Sequence, residues 1–456
     1  MPIPIRHHSA LLFSLTGLFA LQLASALPAR AGARPAGANP LAAEIDRRAA
    51  AIEPKMIEWR RHFHQNPELS GREVETAKFV TARLREMGLE PRTIAGTGVT
   101  AVISGVAGKL PGATIALRAD MDALPVAESV DLPFKSTATG TYEGKSVPVM
   151  HACGHDTHTA MLLAAAEVLA SLRDRLPGKI VLLFQPAEEG VPVADGIAGA
   201  ERMIAEGALD APKVDAVFGI HAFAGLESGV LGYRHGSMLA AGDRFEIHVQ
   251  GKQAHGSKPW AGVDPIVAGS AIVTALQTLV SRESDLTHEP VVVTVGQFDA
   301  GVRNNIIPDR ARLVGTMRTF DEAMRADLEK RMQRMVESVA AGYGATAKVT
   351  FDPGYPVTAN DAAFVDALLP TLERVAPGRV REVPKITGSE DFSLFANKVP
   401  GVFLFLGVTP EAEVATAASN HSPLFYVDEP ALATGVRAYA QVAADYLFAH
   451  AKARGN

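Results

Sequence analysis

Short apolar runs alternate with longer stretches of helical periodicity along most of the chain. Residues 41–89 show helical spacing with a break at Asn66-Pro67. Apolar runs at 114–117, 180–184, 214–220 and 402–406 predict buried strands, and residues 161–172 predict a helix capped by Asp156 or Thr157. Strands that alternate with helices predict an α/β fold, with a mostly parallel sheet and helices on both faces.

The middle of the chain follows a different pattern. Phe245, Ile247 and Val249 alternate with polar residues, which is the period of a half-buried strand. A helix over 263–280, strands over 291–298 and 310–319, a helix over 321–341 and a strand over 347–351 follow. This β-α-β-β-α-β order predicts a ferredoxin-like α+β domain. We place it at 237–351, inserted into a catalytic domain formed by 41–236 and 352–456.

The N-terminus has the pattern of an export signal. Polar residues at 6–8 precede an apolar stretch from about 10 to 26, and Ala24/Ala26 and Ala29/Ala31 offer two A-x-A cleavage sites. We therefore predict a signal peptide over 1–31 and a flexible lead-in over 32–40. A membrane anchor is the alternative, although the stretch is short and interrupted. We expect no later segment to cross a bilayer, so the mature protein is expected to be periplasmic or secreted.

Length and charge limit the classes of function that this chain can have. A chain of 456 residues is too long for one core, and its net charge of -6 provides no basic field for nucleic acid. Cys153 is the one cysteine, so no intramolecular disulfide can form. It is a small buried hydrophobe, a metal ligand or a nucleophile.

Two polar motifs indicate metal chemistry. Three histidines, a cysteine and an aspartate lie within residues 151–158. They suit ligands that converge on one centre, and the alternative interpretation is a polar loop that opens the following helix. The segment Gln185-Pro-Ala-Glu188-Glu189-Gly lies directly beyond the strand at 180–184, and its adjacent carboxylates repel unless a cation or a shared proton compensates. Open α/β sheets bind ligands beyond the carboxyl ends of their strands.

Other candidate side chains also follow predicted strands. Asp120 and Asp122 follow the strand at 114–117, His221 follows 214–220, and His421 lies beyond 402–406. Each alone could be an ordinary core or surface residue. Together with Cys153 they provide enough ligands for two divalent ions.

These motifs resemble a known family. Arg-Ala-Asp-Met-Asp-Ala-Leu-Pro, His-Ala-Cys-Gly-His-Asp, Gln-Pro-Ala-Glu-Glu-Gly and His-Ser-Pro occur in that order. They resemble the hippurate hydrolase and auxin–amino acid conjugate hydrolase branch, the N-acyl amino acid amidohydrolases, of the aminoacylase/carboxypeptidase metallopeptidase family. The resemblance runs from about Arg60 to the C-terminus. It implies a catalytic α/β domain that holds two metals and an inserted lid that also forms a homodimer.

The resemblance also implies roles for single residues. Glu188 takes the place of the catalytic carboxylate, and His255 that of a lid histidine which reaches the partner's active site. Asn305 and Arg318 match positions that bind the substrate carboxylate or the oxyanion, although they could be a turn residue and an exposed strand charge. His255 could likewise be a surface histidine. The implied metal ligands are Cys153, which would bridge the ions, His155, Glu189, His221 and His421.

Two departures from the branch affect the expected substrate pocket. Trp260 follows Pro259 where the branch commonly has a histidine, and residues 221–224 are His-Ala-Phe-Ala where it often has His-x-Trp-Pro. Trp260 would favour aromatic or bulky apolar groups on the substrate, or it could simply pack at the edge of the lid. Asp120 and Asp122 are left with supporting or unassigned roles.

The expected activity is hydrolysis of the amide bond of N-acyl amino acids. A metal-activated water would attack, Glu188 would act as general base, and His255 would help to hold the oxyanion. The donors suit zinc or manganese, with cobalt or nickel as further candidates. A dipeptidase or carboxypeptidase acting through the same site is the main alternative. A cysteine amidase would need Cys153 and His155 in an unsuitable i, i+2 arrangement, and a non-catalytic exported metal-binding protein would have no use for Glu188.

Overall fold

A computed structural model describes residues 39–107, 112–191, 196–197 and 199–451. The predicted signal peptide (1–31) and all but the last two residues of the lead-in lie outside these described residues.

The described chain alternates strands and helices. The helices are α1 (Ala42–Gln65), α2 (Val74–Glu86), α3 (His155–Ala170), α4 (Gly199–Ala205), α5 (Pro265–Thr278), α6 (Glu322–Gly342), α7 (Ala362–Val375), α8 (Phe392–Ala396) and α9 (Leu432–Ala449). The strands are β1 (Arg92–Ile94), β2 (Gly98–Ser104), β3 (Thr114–Asp120), β4 (Thr139–Tyr142), β5 (Lys145–Pro148), β6 (Lys179–Gln185), β7 (Ala216–Glu227), β8 (Leu231–Tyr233), β9 (Gly236–Leu239), β10 (Ala241–Gln250), β11 (Ala254–His255), β12 (Val291–Ala300), β13 (Ile306–Ile307), β14 (Arg310–Thr319), β15 (Thr346–Asp352), β16 (Thr358–Asn360), β17 (Val380–Glu382) and β18 (Gly401–Thr409).

The main sheet has eight strands in the order β1-β2-β6-β3-β7-β18-β8-β17. Its centre, β6-β3-β7-β18, is parallel, whereas β2 pairs with β6, and β8 with β18, in antiparallel fashion. The strands β7 and β8 follow each other in sequence, but β18 lies between them in the sheet. The mostly parallel sheet confirms the predicted α/β fold.

Both faces of this sheet are covered, which explains why its central strands are apolar throughout. Ile115 and Leu117 of β3 point into a core with α1, α2, α3, α7 and α9. Ala116, between them, points into a second core with α4 and α8. The carboxyl ends of β3, β6 and β7 meet at one edge of the sheet, where the motif residues lie.

The four strands β10, β12, β14 and β15 form a separate antiparallel sheet in the order β12-β14-β10-β15. Phe245, Ile247 and Val249 pack from this sheet against α5 and α6. The predicted β-α-β-β-α-β order is confirmed. We call residues 241–352 the lid unit. The domain boundaries at 236/237 and 351/352 stay predictions.

Three predicted element ends are wrong. Strand β3 continues to Asp120, so Asp120 belongs to the strand that it was predicted to follow. Helix α3 begins at His155, with Gly154 as its N-cap at φ 92°, and not at 161 with a cap at Asp156 or Thr157. The polar residues 155–159 form its first turns because they are buried and contact one another and the sheet. Strand β7 begins at Ala216 and continues to Glu227, so it is longer than predicted and includes His221.

One described helical stretch, Pro265–Glu283, is long and apolar enough to cross a bilayer by length and composition alone. It is thus an exception to the expectation that no segment after the N-terminus could do so. A helix of a protein core meets the same criterion, and 33% of the stretch is buried. Its side chains Ala268, Ile272 and Leu276 belong to the core of the lid unit.

Candidate metal centre

The motif residues converge at the carboxyl edge of the parallel strands. Cys153 lies two residues before His155, which is the first residue of α3, and the N-cap Gly154 separates them. Glu189 follows β6, and His221 lies within β7, not after it as predicted. His421 comes from the loop between β18 and α9 and has φ 71°, which is unusual for a non-glycine residue.

The potential ligand atoms lie within a few ångströms of one another. The Sγ of Cys153 is 3.4 Å from Nε2 of His221 and 3.2 Å from Nε2 of His421. The same His421 nitrogen is 3.0 Å from Oε1 of Glu189. The structure thus brings together all five ligands that the resemblance implies. Glu188 lies beside them, with Oε2 3.9 Å from Nε2 of His155.

Hydrogen bonds fix which nitrogen each buried histidine presents. Nδ1 of His155 donates to Oδ1 of Asp122 at 3.2 Å, and Nδ1 of His221 donates to the carbonyl of Ala222 at 2.8 Å. In the neutral form of each ring, Nε2 therefore carries a lone pair that faces the cluster. Nε2 of His155 is buried and has no hydrogen-bond partner among the described residues. A buried ring nitrogen without a partner, in a histidine whose other ring nitrogen donates to a carboxylate, is typical of a metal ligand.

His158 differs from its neighbours although it belongs to the same motif. Its Nε2 accepts a hydrogen bond from the N–H of Ala222 at 2.7 Å, so Nδ1 carries the proton that is donated to Asp120 at 2.6 Å. Both nitrogens are occupied. His158 therefore positions β7 beside the centre and has no lone pair left for a metal.

The centre carries an excess of negative charge. Burial, together with the charges of Glu390 and Glu189, raises the pKa of Glu188 well above its ordinary value. Hydrogen bonds to Cys153 and Glu189 raise the pKa of His421 to about 10. Divalent cations at this position would offset the excess charge, so the donors and their charge fit a metal centre.

A buried ionic network below Glu188 was missed by sequence reasoning. Arg118 donates to Asp120 at 2.6 Å, to Glu390 at 2.8 Å and to Asp391 at 2.9 Å. Burial lowers the pKa of Arg118, but these carboxylates more than compensate and raise it well above the ordinary value. The sequence does contain a signal, because Arg118 ends an otherwise apolar run and a buried cation requires partners. No such signal marks Glu390.

The other predicted site residues belong to the lid unit and do not contact the ligands within the described chain. His255 lies exposed on β11, and its Nδ1 accepts from both the N–H and the hydroxyl of Ser257. Asn305 is exposed on the adjacent loop, where its carbonyl accepts from Gly256. Trp260 is 81% exposed, so it does not pack into the lid of its own chain.

Arg318 of β14 lies at the boundary of the lid unit, beside the loop between β17 and α8. A Cβ added to Gly242 would lie 2.1 Å from Nη1 of Arg318 and 2.8 Å from Oγ of Ser389, so both side chains lie over this glycine. Ser389 directly precedes Glu390 of the buried network. Arg318 is half-buried and forms no ion pair with any residue of the described ranges.

A thiol, imidazoles and a carboxylate at the ends of parallel strands, beside a buried carboxyl group with a raised pKa, define a metal-dependent hydrolase. Comparison with known proteins agrees with this class. The model of peptidase family M20/M25/M40 matches residues 116–445, and the chain belongs to this family.

Relatives and solved structures cover most of the chain. It is 42% identical over 394 residues to thermostable carboxypeptidase 2 of Saccharolobus solfataricus, which covers 86% of this chain and 95% of the relative. It is also 42% identical over 318 residues to an N-acyl-L-amino acid amidohydrolase of Geobacillus stearothermophilus, with 70% and 81% covered. A dinuclear metal-binding M20 peptidase of Bacillus subtilis superposes with a TM-score of 0.73 at 35% identity, over 87% of this chain and 99% of the other.

Proposed function

We propose that this protein hydrolyses the amide bond of N-acyl amino acids at a centre of two divalent ions. The observation that carries the proposal is the position of Glu188. Its carboxyl group is buried next to the candidate ligands but is not required to complete their set, because Glu189 already supplies a carboxylate. A carboxylate in that position is suited to proton transfer.

Cys153, His155, Glu189, His221 and His421 would hold the ions. Zinc or manganese suits these donors best, and cobalt or nickel is also compatible with them. When bound, the ions supply Lewis acidity, which polarises the amide carbonyl and makes water acidic enough to lose a proton near neutral pH.

Glu188 would take the proton from the attacking water at its carboxylate oxygen and later transfer it to the departing nitrogen. Burial and the neighbouring carboxylates raise the pKa of Glu188, which makes its carboxylate a stronger base than that of an exposed glutamate. Asp122 and Asp120 would act through histidines, because each accepts a hydrogen bond from a ring nitrogen and so orients His155 or His158.

Arg318 is the candidate anchor for the substrate carboxylate. Its guanidinium is half-buried at the boundary of the lid unit and has no ionic partner among the described residues. A guanidinium can bind a carboxylate through two parallel hydrogen bonds. A free carboxylate next to the scissile amide would therefore be selected. Asn305 would assist from the lid.

We further propose a homodimer formed through the lid unit, with His255 acting in the partner's site. Because the N–H of Ser257 donates to Nδ1, the neutral ring carries its proton on Nε2 and can donate it to an oxyanion. Trp260, on the same loop, would then contact an aromatic or bulky apolar group of the substrate. The exposed side chains of Val302 and Val267 add apolar surface to this unit.

Dipeptidase or carboxypeptidase activity is the second candidate. One relative of the same identity is named a carboxypeptidase, and an anchor for a free carboxylate would serve its substrates equally well.

We also propose that the protein is exported to the periplasm or the medium. This proposal is supported by the N-terminal sequence alone.

A hydrolysis screen on metal-reconstituted protein tests the proposed function. N-acetyl and N-benzoyl amino acids and dipeptides would be compared with their carboxyl-amidated forms, before and after chelation. We expect N-acyl amino acids to be cleaved fastest, the amidated forms to be much poorer and chelated protein to be inactive. Equal rates for acids and amides would remove the Arg318 anchor, and full activity in protein shown to be metal-free would refute the metal mechanism.

A further inference from the structure

The backbone around Glu188 is held by three side chains from distant parts of the chain. The N–H of Ala187 donates to Glu73 at 2.8 Å, and the N–H of Glu189 donates to Asp122 at 3.0 Å. The carbonyl of Glu188 itself accepts a hydrogen bond from the hydroxyl of Tyr355 at 2.7 Å. Three consecutive residues are thus fixed by groups outside their own loop.

This loop needs to be held because its backbone is strained. Ala187 has φ 52°, in the left-handed region that a residue with a Cβ rarely adopts. Such a conformation persists only where the surroundings enforce it. Loss of one of the three contacts would therefore allow Glu188 to move.

Tyr355 differs from the other two holding residues in its place in the fold. It lies in the segment that returns the chain from the lid unit after β15. Its carbonyl accepts from the N–H of Gly242, in the segment by which the chain enters the lid unit. We call residues 240–243 and 353–357 the lid junction.

The two segments of the lid junction are closely tied to each other. Asp243, which is buried, accepts from the N–H of Gly354 at 3.1 Å and from Nε of Arg325 at 2.8 Å. Any Cβ on Gly354 would lie 1.8 Å from the carbonyl oxygen of Gly242, so only glycine permits this approach. The junction therefore behaves as one packed unit, and Tyr355 is the residue that extends from it to Glu188.

We propose that Tyr355 is a positioning residue: its hydroxyl holds the carbonyl of Glu188 and so ties the place of the catalytic carboxylate to the lid junction. This inference rests on the proposed role of Glu188. It predicts that removal of one oxygen atom, outside the set of metal ligands, slows the chemical step without weakening substrate binding.

The direct test is Tyr355→Phe, which keeps the ring and removes the hydroxyl. We expect kcat to fall on the order of 3- to 30-fold, because a buried carbonyl loses its donor and the strained loop loses a restraint. KM should stay within about twofold, and the bound metal should equal that of wild type. Tyr426→Phe is the matched control, since its hydroxyl donates to Glu413 on the surface and its loss should leave kcat unchanged.

Testing the same change in a Glu188→Gln variant distinguishes a positioning role of Tyr355 from a general structural effect. In single-turnover measurements with Glu188→Gln, the further change Tyr355→Phe should have almost no effect, because residues that act through one group are not additive. An equal loss of rate in both backgrounds, an unchanged kcat in Tyr355→Phe alone, or loss of metal from that variant would each overturn the inference. If Glu188→Gln itself keeps full activity, it is the proposed function that fails.

Discussion

At the scale of single residues, Glu188 and Glu189 are neighbours with different expected tasks. Glu188→Gln should lower kcat by about 10²–10⁴-fold while the metal content stays near that of wild type, because only proton transfer is removed. Glu189→Gln should lose metal instead, because Glu189 lies 3.0 Å from the candidate ligand His421. Kinetics combined with elemental analysis of both variants provide the measurement.

The opposite outcome is equally informative. If Glu188→Gln loses its metal but retains turnover per remaining ion, the two roles are exchanged.

The sequence predicted the side chains that cluster at the candidate centre better than those that hold the surrounding backbone. Cys153 and His155 could be named as candidate ligands because histidine and cysteine rarely cluster without a reason, and this pattern lies in a short motif. Tyr355 could not be identified, because it acts through the backbone of a residue 167 positions away and belongs to no pattern around it. Contacts of this kind depend on tertiary structure alone.

At the scale of elements, the start of α3 determines the geometry of the centre. Gly154 separates two candidate ligands, has φ 92°, and an added Cβ would lie 3.1 Å from Cβ of Ala222. Gly154→Ala should lower the free energy of unfolding by about 1–3 kcal/mol, from backbone strain and close contact together. It should also weaken metal binding, because Cys153 and His155 would move apart.

A second glycine serves as a control that distinguishes backbone strain from close contact. Gly144 also has positive φ, 75°, but a Cβ there would meet nothing within 4 Å. Gly144→Ala should therefore be destabilising through strain alone and leave metal affinity unchanged. Denaturant unfolding and metal titration of both variants would check this, and equal losses of metal affinity would count against a special role for the start of α3.

The start of α3 also shows where a hydrophobic pattern fails to predict the end of a helix. The motif residues 155–159 are polar, so the pattern predicted that the helix begins after them. In the structure they are buried and interact with one another and with the sheet, which a hydrophobic pattern does not represent. The strands β3, β6 and β18 were predicted to within a few residues because they are covered on both faces and hence apolar throughout.

At the scale of the whole molecule, subunit mixing tests whether His255 completes the site of the partner chain. Glu188→Gln and His255→Ala are each expected to be nearly inactive alone. If His255 acts in the partner, subunit exchange creates mixed dimers in which one site is intact. Random exchange makes about half of the dimers mixed, so roughly a quarter of all sites should recover activity.

The measurement is activity after mixing, with exchange verified by mass labelling. Two copies of the same variant provide the control, since they cannot complement each other. Absence of recovery despite verified exchange would place His255 in its own chain's site or outside catalysis.

The position of β18 between β7 and β8 has a consequence for how the molecule is made. These two strands leave the ribosome one after the other, yet the space between them is filled by a strand that follows the entire lid unit. The lid unit has its own core and its own strand pairs, so it can fold while the position of β18 in the main sheet is still empty. Pairings of such long sequence separation form slowly. Until β18 arrives, the apolar edges of β7 and β8 are exposed, and this nascent state is where we expect dependence on chaperones to be greatest.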